Sequence, residues 1–381
     1  MCGTYDNGIS QTAGKEGGAE LIHYIVGKNL GHLNPCVANI SKFRNISSEE
    51  VKIFAYSHTH EWLKSNLTDT EIHDAVHFRK GADQLLNADL LIHDWRDEVK
   101  ETKNQRKGQG PIIGGIYHSD LSVSDDDTDW TTKFKQQIRA VSQRSTDIFF
   151  HINLTQPKEI PELTTLYMPI PIIARDINMQ QAQVKSRLGI PADEPFILVQ
   201  MGGGIGKFRY RYMDEWYEKI NQLEIQYRIV VAGQLGGVNF PFNPKIVQAP
   251  LFENGRELVN AADLVISKPG MGILMDCIST GTPLLSLPAD TKEREVKNMM
   301  LKELAGEESC VAEHDMPLLE LAARIKQMIS QKDHYNQAFS KVPQNGAEIV
   351  AQSMKMLSGK TLVDLPDIYE QILKLTPFRV K

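Results

Sequence analysis

Cysteine is scarce in this chain, basic charge is not in excess, and no long apolar run occurs. Only four of the 381 residues are cysteines (Cys2, Cys36, Cys277 and Cys310), with no Cys-x-x-Cys pair and no histidine at zinc-ligand spacing. That usage fits a reducing compartment rather than a disulfide framework, and it leaves no metal scaffold to build on. No apolar stretch approaches the roughly 18 residues a spanning helix needs, and the first residues lack the charged-then-apolar order of a secretion signal. The chain therefore reads as cytoplasmic. Acidic residues outnumber basic ones, 48 to 42, for a net charge of -6, which argues against nucleic-acid wrapping and against a generally basic membrane-binding surface. There is no repeat at a fixed period. Neither a Gly-x-Gly-x-x-Gly turn with a ribose-binding acid about twenty residues on nor a P-loop ending in Gly-Lys-Ser/Thr is present, so a dinucleotide-dependent dehydrogenase fits poorly.

What is present is ordinary globular composition, 41% hydrophobic and 24% charged, in a chain long enough for two domains with separate cores. Residues 1–20 are Gly-rich and polar and are expected to form a flexible N-terminal extension. From Leu21 onward short β-type runs alternate with helical patterns. LIHYIV (21–26), KIFAY (52–56), ADLLIHD (88–94), PIIGGIYH (111–118), DIFFHI (147–152) and TLYMPI (165–170) are strand candidates, with a helix expected around Trp130–Val141. PIPIIARD (169–176) reads as a hinge, followed by a short helix closing at Gly189. The alternation then restarts with FILVQM (196–201), YRIVVAG (227–233), KIVQAPL (245–251), ADLVIS (262–267) and PLLSLP (283–288). Such alternation predicts parallel sheets with helices on both faces, and sheets of this kind bind ligands at the C-terminal ends of their strands. Two amphipathic helices are expected in the tail, at NGAEIVAQSMKML and LPDIYEQILKL.

Four segments carry chemistry. In GKNLGHLNPCVANISKF (27–43) Gly31 is expected to make a tight turn and Pro35 to sit in the first helical turn, so that His32 projects from a strand end as a candidate proton acceptor. A histidine that only caps its own loop is an equal competitor. VQMGGGIGKFRY (199–210) places Gly202, Gly203 and Gly204 after a strand, where bare amides approach phosphate oxygens, with Lys207 and Arg209 nearby. AADLVISKPGMGILMDCISTGTPLLSLP (261–288) predicts a strand ending at Ser267, a Pro269-Gly270-Met271-Gly272 turn opening a helix, and an end at Gly281. That helix N-terminus offers free N–H donors to a pyrophosphate, and Asp276 can accept hydrogen bonds from a ribose diol, or can merely suit the helix dipole. In ADTKEREVKN (289–298), Glu293, Arg294, Glu295 and Asn298 are sugar-binding candidates, or an ordinary solvated helix start.

At these residues the chain resembles a known family. GHLNPCVANISKF resembles the Gly-His-x-x-Pro segment of GT-B glycosyltransferases, among them the peptidoglycan N-acetylglucosaminyl transferase and the UDP-glycosyltransferase superfamily. SKPGMGILMDCISTGTPLLSLP followed by EREVKN is similar to the donor-site signature of those enzymes and of the diacylglycerol glycosyltransferases. The resemblance implies an α/β GT-B fold, two Rossmann-like doubly wound domains facing a central cleft. It implies an acceptor-binding domain over 21–170, a nucleotide-sugar-binding domain over 171–355, and a C-terminal helix within 356–381 that crosses back to the first domain. By the same resemblance His32 is catalytic and Gly202 to Gly204 lie under the diphosphate. Phe252 marks the backbone that reads the nucleobase. Ser267, Gly270, Met271 and Gly272 form the donor turn, Asp276 takes the ribose, and Arg294, Glu295 and Asn298 lie near the donor sugar. Three departures stand out: Asp276 where Glu is usual, Arg294 where Gln is usual, and GKNLGH in place of a double-glycine turn.

The expected activity is transfer of a sugar from a nucleoside-diphosphate sugar, UDP first with dTDP or GDP also open, to an acceptor hydroxyl. Inversion at the anomeric carbon is implied by the resemblance alone. His32 would be the base, oriented by a carboxylate such as Asp94 in LLIHDWRDE. No cofactor or essential metal is expected, and the acidic run Asp125–Asp129 and the histidines at 58, 60, 73, 77 and 118 are taken as structural or solvated. The expected partners are the nucleotide-sugar donor and a small-molecule or lipid-linked acceptor, with peripheral membrane contact in the lipid case and with no nucleic acid. ETKNQRKGQG (101–110) is a candidate acceptor loop. A sugar-nucleotide epimerase or hydrolase, and an inactive accessory subunit on the same scaffold, remain as alternatives.

Overall fold

The computed structural model describes residues 21–75, 82–106, 110–118, 121, 127–157, 162–202 and 209–380. The 1–20 extension, Gly203, Gly204, Lys207, His77, Asp125 and Asp126, and positions 107–109 of the candidate acceptor loop lie outside these residues.

Two parallel sheets organise the chain. The first takes β1 (Leu21–Ile25), β2 (Glu50–Ala55), β3 (Glu71–Asp74), β4 (Leu90–Asp94), β5 (Ile112–His118), β6 (Ile148–Ile152) and β7 (Leu166–Ile170) in the order β3-β2-β1-β4-β5-β6-β7. The second takes β8 (Phe196–Gln200), β9 (Arg228–Val231), β10 (Val247–Gln248), β11 (Leu264–Ser267) and β12 (Leu284–Ser286) in the order β10-β9-β8-β11-β12. Each sheet thus begins at its centre, winds outward one way, and then returns to wind outward the other way. Helices cover both faces, which is why β4 and β6 are buried along their whole length and read in sequence as unbroken apolar runs. This is the expected two-sheet α/β architecture. The one strand not anticipated is β3, a short edge strand whose residues are half-buried or exposed.

The order fixes where ligands meet the fold. In a doubly wound sheet the crevice opens where the winding reverses, between the first strand and the strand that returns beside it. Here those crevices lie between β1 and β4, which pair with Ile22 opposite Leu90, and between β8 and β11, with Leu264 opposite Ile197.

The tail ties the two halves together. The helix Gly346–Leu357 packs against the first helix, Leu30–Arg44, and Lys355 Nζ donates to the Ile46 carbonyl at 2.7 Å. A Cβ at Gly346 would stand 2.2 Å from the Pro171 carbonyl oxygen, so only glycine lets this helix begin against the 169–176 hinge. Beyond the helix Leu365–Ile372, Thr376 Oγ1 donates to the Pro169 carbonyl at 2.6 Å and the Arg379 amide donates to Gln156 Oε1 at 2.8 Å. The last residues therefore lie on the first sheet.

Candidate functional site

A cavity of about 560 Å³ lies between the halves, lined from both switch points. On the first side, His32 is placed by the start of the first helix. Asn29 is its extended N-cap, and the helix is under way by Leu30. His32 therefore lies in the first helical turn rather than at a strand end. Gly31 makes no left-handed turn, and Pro35 falls in the second turn rather than the first. The glycine that matters to the ring is Gly27, where a Cβ would meet His32 Cγ at 2.7 Å.

The partner of His32 comes from β4. Its Nδ1 is in ion-pair contact with Asp94 Oδ2, with Asp94 largely buried. Burial opposes the imidazolium, but the adjacent carboxylate outweighs it, and the His32 pKa is raised above the ordinary 6.5. A sharp bend after β4 holds Asp94 in place. The Arg96 amide donates to His93 Nδ1 at 2.9 Å, the other nitrogen of that ring lies 3.2 Å from the Ser145 carbonyl, and burial pushes the His93 pKa down to about 3. Within the bend Trp95 has a φ of 44°.

On the second side, the chain leaves β8 at Gln200 and reaches Gly202, whose φ is 73°, and β11 runs into Lys268-Pro269-Gly270. Gly270 is the extended N-cap of the helix Met271–Thr280, makes no side-chain cap, and Gly281 closes that helix with a φ of 70°. The expected glycine turn, helix and stop are all in place. With no side chain capping it, the helix presents free amides to the cavity. Ser267 also lines the cavity but is only 1% exposed, and its hydroxyl is spent on the Gln200 carbonyl, binding β11 to β8. Asp276 lines the cavity half-buried in the second turn of its helix. Burial pushes its pKa up to about 7 against the pull of Arg256 and Arg175.

Lys268 is one of the cavity residues that sequence reasoning passed over, as are Trp95 and Tyr117. It makes no ion pair or hydrogen bond among the described residues, and burial, with Arg294 beside it, lowers its pKa to about 8. A Cβ on Gly202 would lie 2.6 Å from Lys268 Cε, so the two face each other. An unpaired, desolvated cation beside free helix amides is an arrangement completed by an anion. The signal was in the sequence as a lysine just before the glycine turn.

The charged helix Lys292–Ala305 contributes differently from expectation. Arg294 lines the cavity while its guanidinium holds Asp290, one N–O distance being 2.6 Å. Glu293 and Lys297 line it too, paired at 3.3 Å. Glu295 and Asn298 do not. Glu295 pairs with Lys292 at 2.7 Å on the opposite flank, and Asn298 is buried, accepting from Ser286 Oγ at 2.6 Å and donating to the Leu287 carbonyl at 3.1 Å. Helical phase turns Glu295 away from the face shared by 293, 294 and 297, whereas Asn298, one turn beyond Arg294, is drawn inward by its bonds to Ser286 and Leu287. Phe252 is also off the cavity lining, its ring buried under the Arg187 guanidinium at 4.4 Å. Of the acidic run, Asp127 forms a buried pair with Lys135 at 2.9 Å.

Comparison with known proteins bears on the fold. Residues 217–354 match the profile of the glycosyltransferase family 28 C-terminal domain. The fold is similar to a UDP-glucosyltransferase from Polygonum tinctorium capable of glucosylating indoxyl, with 11% identity, a TM-score of 0.61, and 94% of this chain and 98% of that one covered. It is also similar to the glycosyltransferase SnogD from Streptomyces nogalater, with 14% identity, a TM-score of 0.58, and 89% and 100% covered. MurG of Acinetobacter baumannii matches with 13% identity, a TM-score of 0.55, and 88% and 99% covered. No curated protein sequence matches the chain. The structural likenesses show the GT-B fold, and with the matched domain they support a glycosyltransferase.

Proposed function

We propose that the chain transfers a sugar from a nucleoside-diphosphate donor, UDP foremost, to an acceptor hydroxyl, with inversion and without an essential metal. The observation that carries this reading is that the His32–Asp94 pair and the Gly270–Gly272 helix start, from opposite halves, line one cavity. The half built on the second sheet takes the donor and the half built on the first sheet takes the acceptor. The name of the Polygonum tinctorium neighbour supports UDP as the carrier.

In this mechanism the diphosphate lies against the amides that begin the helix Met271–Thr280, with Lys268 as its counter-charge. As the glycosidic bond breaks, both stabilise the charge growing on the leaving group, the part a metal ion plays elsewhere. Asp276, ionised, accepts from the ribose diol. Asp94 holds His32 Nδ1, leaving Nε2 free to remove the acceptor proton as its oxygen attacks the anomeric carbon from the side opposite the diphosphate. A single displacement of this kind inverts the centre. Arg294 and Glu293 stand by for the sugar hydroxyls.

Calorimetric titration with UDP, dTDP and GDP, together with release of nucleoside diphosphate from donor sugars, tests the reading. His32→Ala should keep UDP affinity and slow turnover by about 10²-fold or more, whereas Asp276→Ala should weaken UDP binding. Absence of affinity for all three diphosphates would sink it, and sugar release that no acceptor alters would point to a hydrolase.

A further inference from the structure

The cavity wall beside His32 is aromatic. Trp95 follows Asp94 directly, and its φ of 44° is the only positive value for a non-glycine among the described residues. A bulky residue rarely adopts this conformation, and such strain collects where a side chain must be aimed for function. The aim here is a stack of rings. Trp95 lies 4.2 Å from Tyr117 at an interplanar angle of 16°, and Tyr117 lies 4.5 Å from His118 at 19°. Tyr117, in the middle, is 6% exposed, while Trp95 and His118 are half-buried, and all three line the same cavity as His32. Trp95 Nε1 and His118 Nδ1 have no hydrogen-bond partner among the described residues.

We propose that Trp95, backed by Tyr117 and His118, is the platform on which the acceptor lies as a hydroxyl-bearing ring, flat against the indole with its hydroxyl toward His32. This rests on the transferase reading above and adds the class of acceptor. A flat, rigid, uncharged wall favours a ring over a flexible chain because the ring presents a matching face and loses less freedom on docking. Burial holds the His118 pKa well below its ordinary value, with Lys297 and His32 adding to the effect, so the wall stays neutral. Two sources supply such a ring. A phenolic alcohol offers a π face, and a pyranose offers a face of C–H bonds.

The test uses the full chain saturated with UDP, and ligand-observed NMR titration with 4-nitrophenol, methyl β-D-glucopyranoside and 1-hexanol as probes. At least one ring should bind ten-fold or more tightly than 1-hexanol, the tighter of the two identifying the source. Trp95→Ala and Trp95→Gly should each weaken that ring ten-fold or more, with glycine free to adopt the backbone conformation at this position and so guarding against misfolding. Trp95→Phe should stay within three-fold of the parent, and UDP affinity should be unchanged in all variants. Equal binding of 1-hexanol and both rings, or ring binding indifferent to Trp95, overturns the platform. Failure to bind UDP at the saturation step overturns the donor reading instead, before any acceptor is added.

Discussion

A Cβ placed on Gly272 would stand 3.7 Å from the Cα of Gly31, so two helices rising from different sheets meet at their first turns. One turn carries the candidate base and the other the candidate diphosphate site. At this separation one methyl group makes an ordinary contact, but a branched side chain must push the turns apart. Gly272→Ala is expected to hold UDP affinity within about three-fold, since alanine also suits a helix better by about 1 kcal/mol. Gly272→Leu is expected to weaken it ten-fold or more. Calorimetry of the two variants decides, and equal affinity in both would show that the approach of the helices does not shape the site.

The His32–Asp94 contact leads to a pH prediction. The neutral imidazole is the active form of a base, and the neighbouring carboxylate raises its pKa above the ordinary 6.5. Turnover should therefore rise with pH and level off above that value. In Asp94→Asn the opposing charge is gone and burial dominates, so the midpoint should move down while the plateau falls by about 10²-fold or more for want of orientation. A pH–rate profile of the two proteins checks both signs. A midpoint that stays in place on substitution would dissociate Asp94 from the base.

Much of this site could be read from the sequence because chemistry follows topology. His32 and Asp94 are 62 positions apart, yet one follows β1 and the other ends β4 at the reversal point of the first sheet, and the strands themselves were plain apolar runs. The glycine turn, helix and stop at 270–281 were equally legible, and Gly281 marks a left-handed backbone that stops the helix. What could not be read was phase and environment. Glu293 and Glu295 look alike until the rotation of their helix is known. β3 is short, polar and at an edge, so no periodicity announces it. Nothing in a one-dimensional string shows that Lys268 lacks a partner among the described residues or that Trp95 has a positive φ.

Asp276 offers a test that separates stability from binding. Its folded pKa of about 7 lies above the usual 3.8, so the native state prefers the protonated acid. Native stability is therefore retained at low pH and lost as pH rises toward 7. Asp276→Asn, neutral throughout, should be more stable than the parent above pH 7 by about 1–3 kcal/mol and no different near pH 3. The same variant should bind UDP more weakly above pH 7, where the parent carboxylate is ionised and accepts from the diol, and should match it more nearly at pH 6. Denaturation and calorimetry across this range measure the two effects. Stability gained with affinity intact would remove Asp276 from the donor site.

Gly202 and Lys268 allow the diphosphate contact to be probed with an internal control. Gly202 has a φ of 73°, as does Gly237, but a Cβ at Gly202 would strike Lys268 at 2.6 Å whereas one at Gly237 meets nothing within 4 Å. Both alanine variants therefore carry the same backbone penalty, about 1 kcal/mol of stability. Only Gly202→Ala also displaces the lysine, whose far end can swing without unfolding the chain, so only it should lose UDP affinity, by about ten-fold, the worth of one charge-assisted hydrogen bond. With a Lys268 pKa of about 8, affinity in the parent should decline as pH rises through 8, and Lys268→Met should bind weakly with that decline abolished. Equal UDP affinity in Gly202→Ala and Gly237→Ala, or an unchanged pH slope in Lys268→Met, would mean that this lysine does not face the diphosphate.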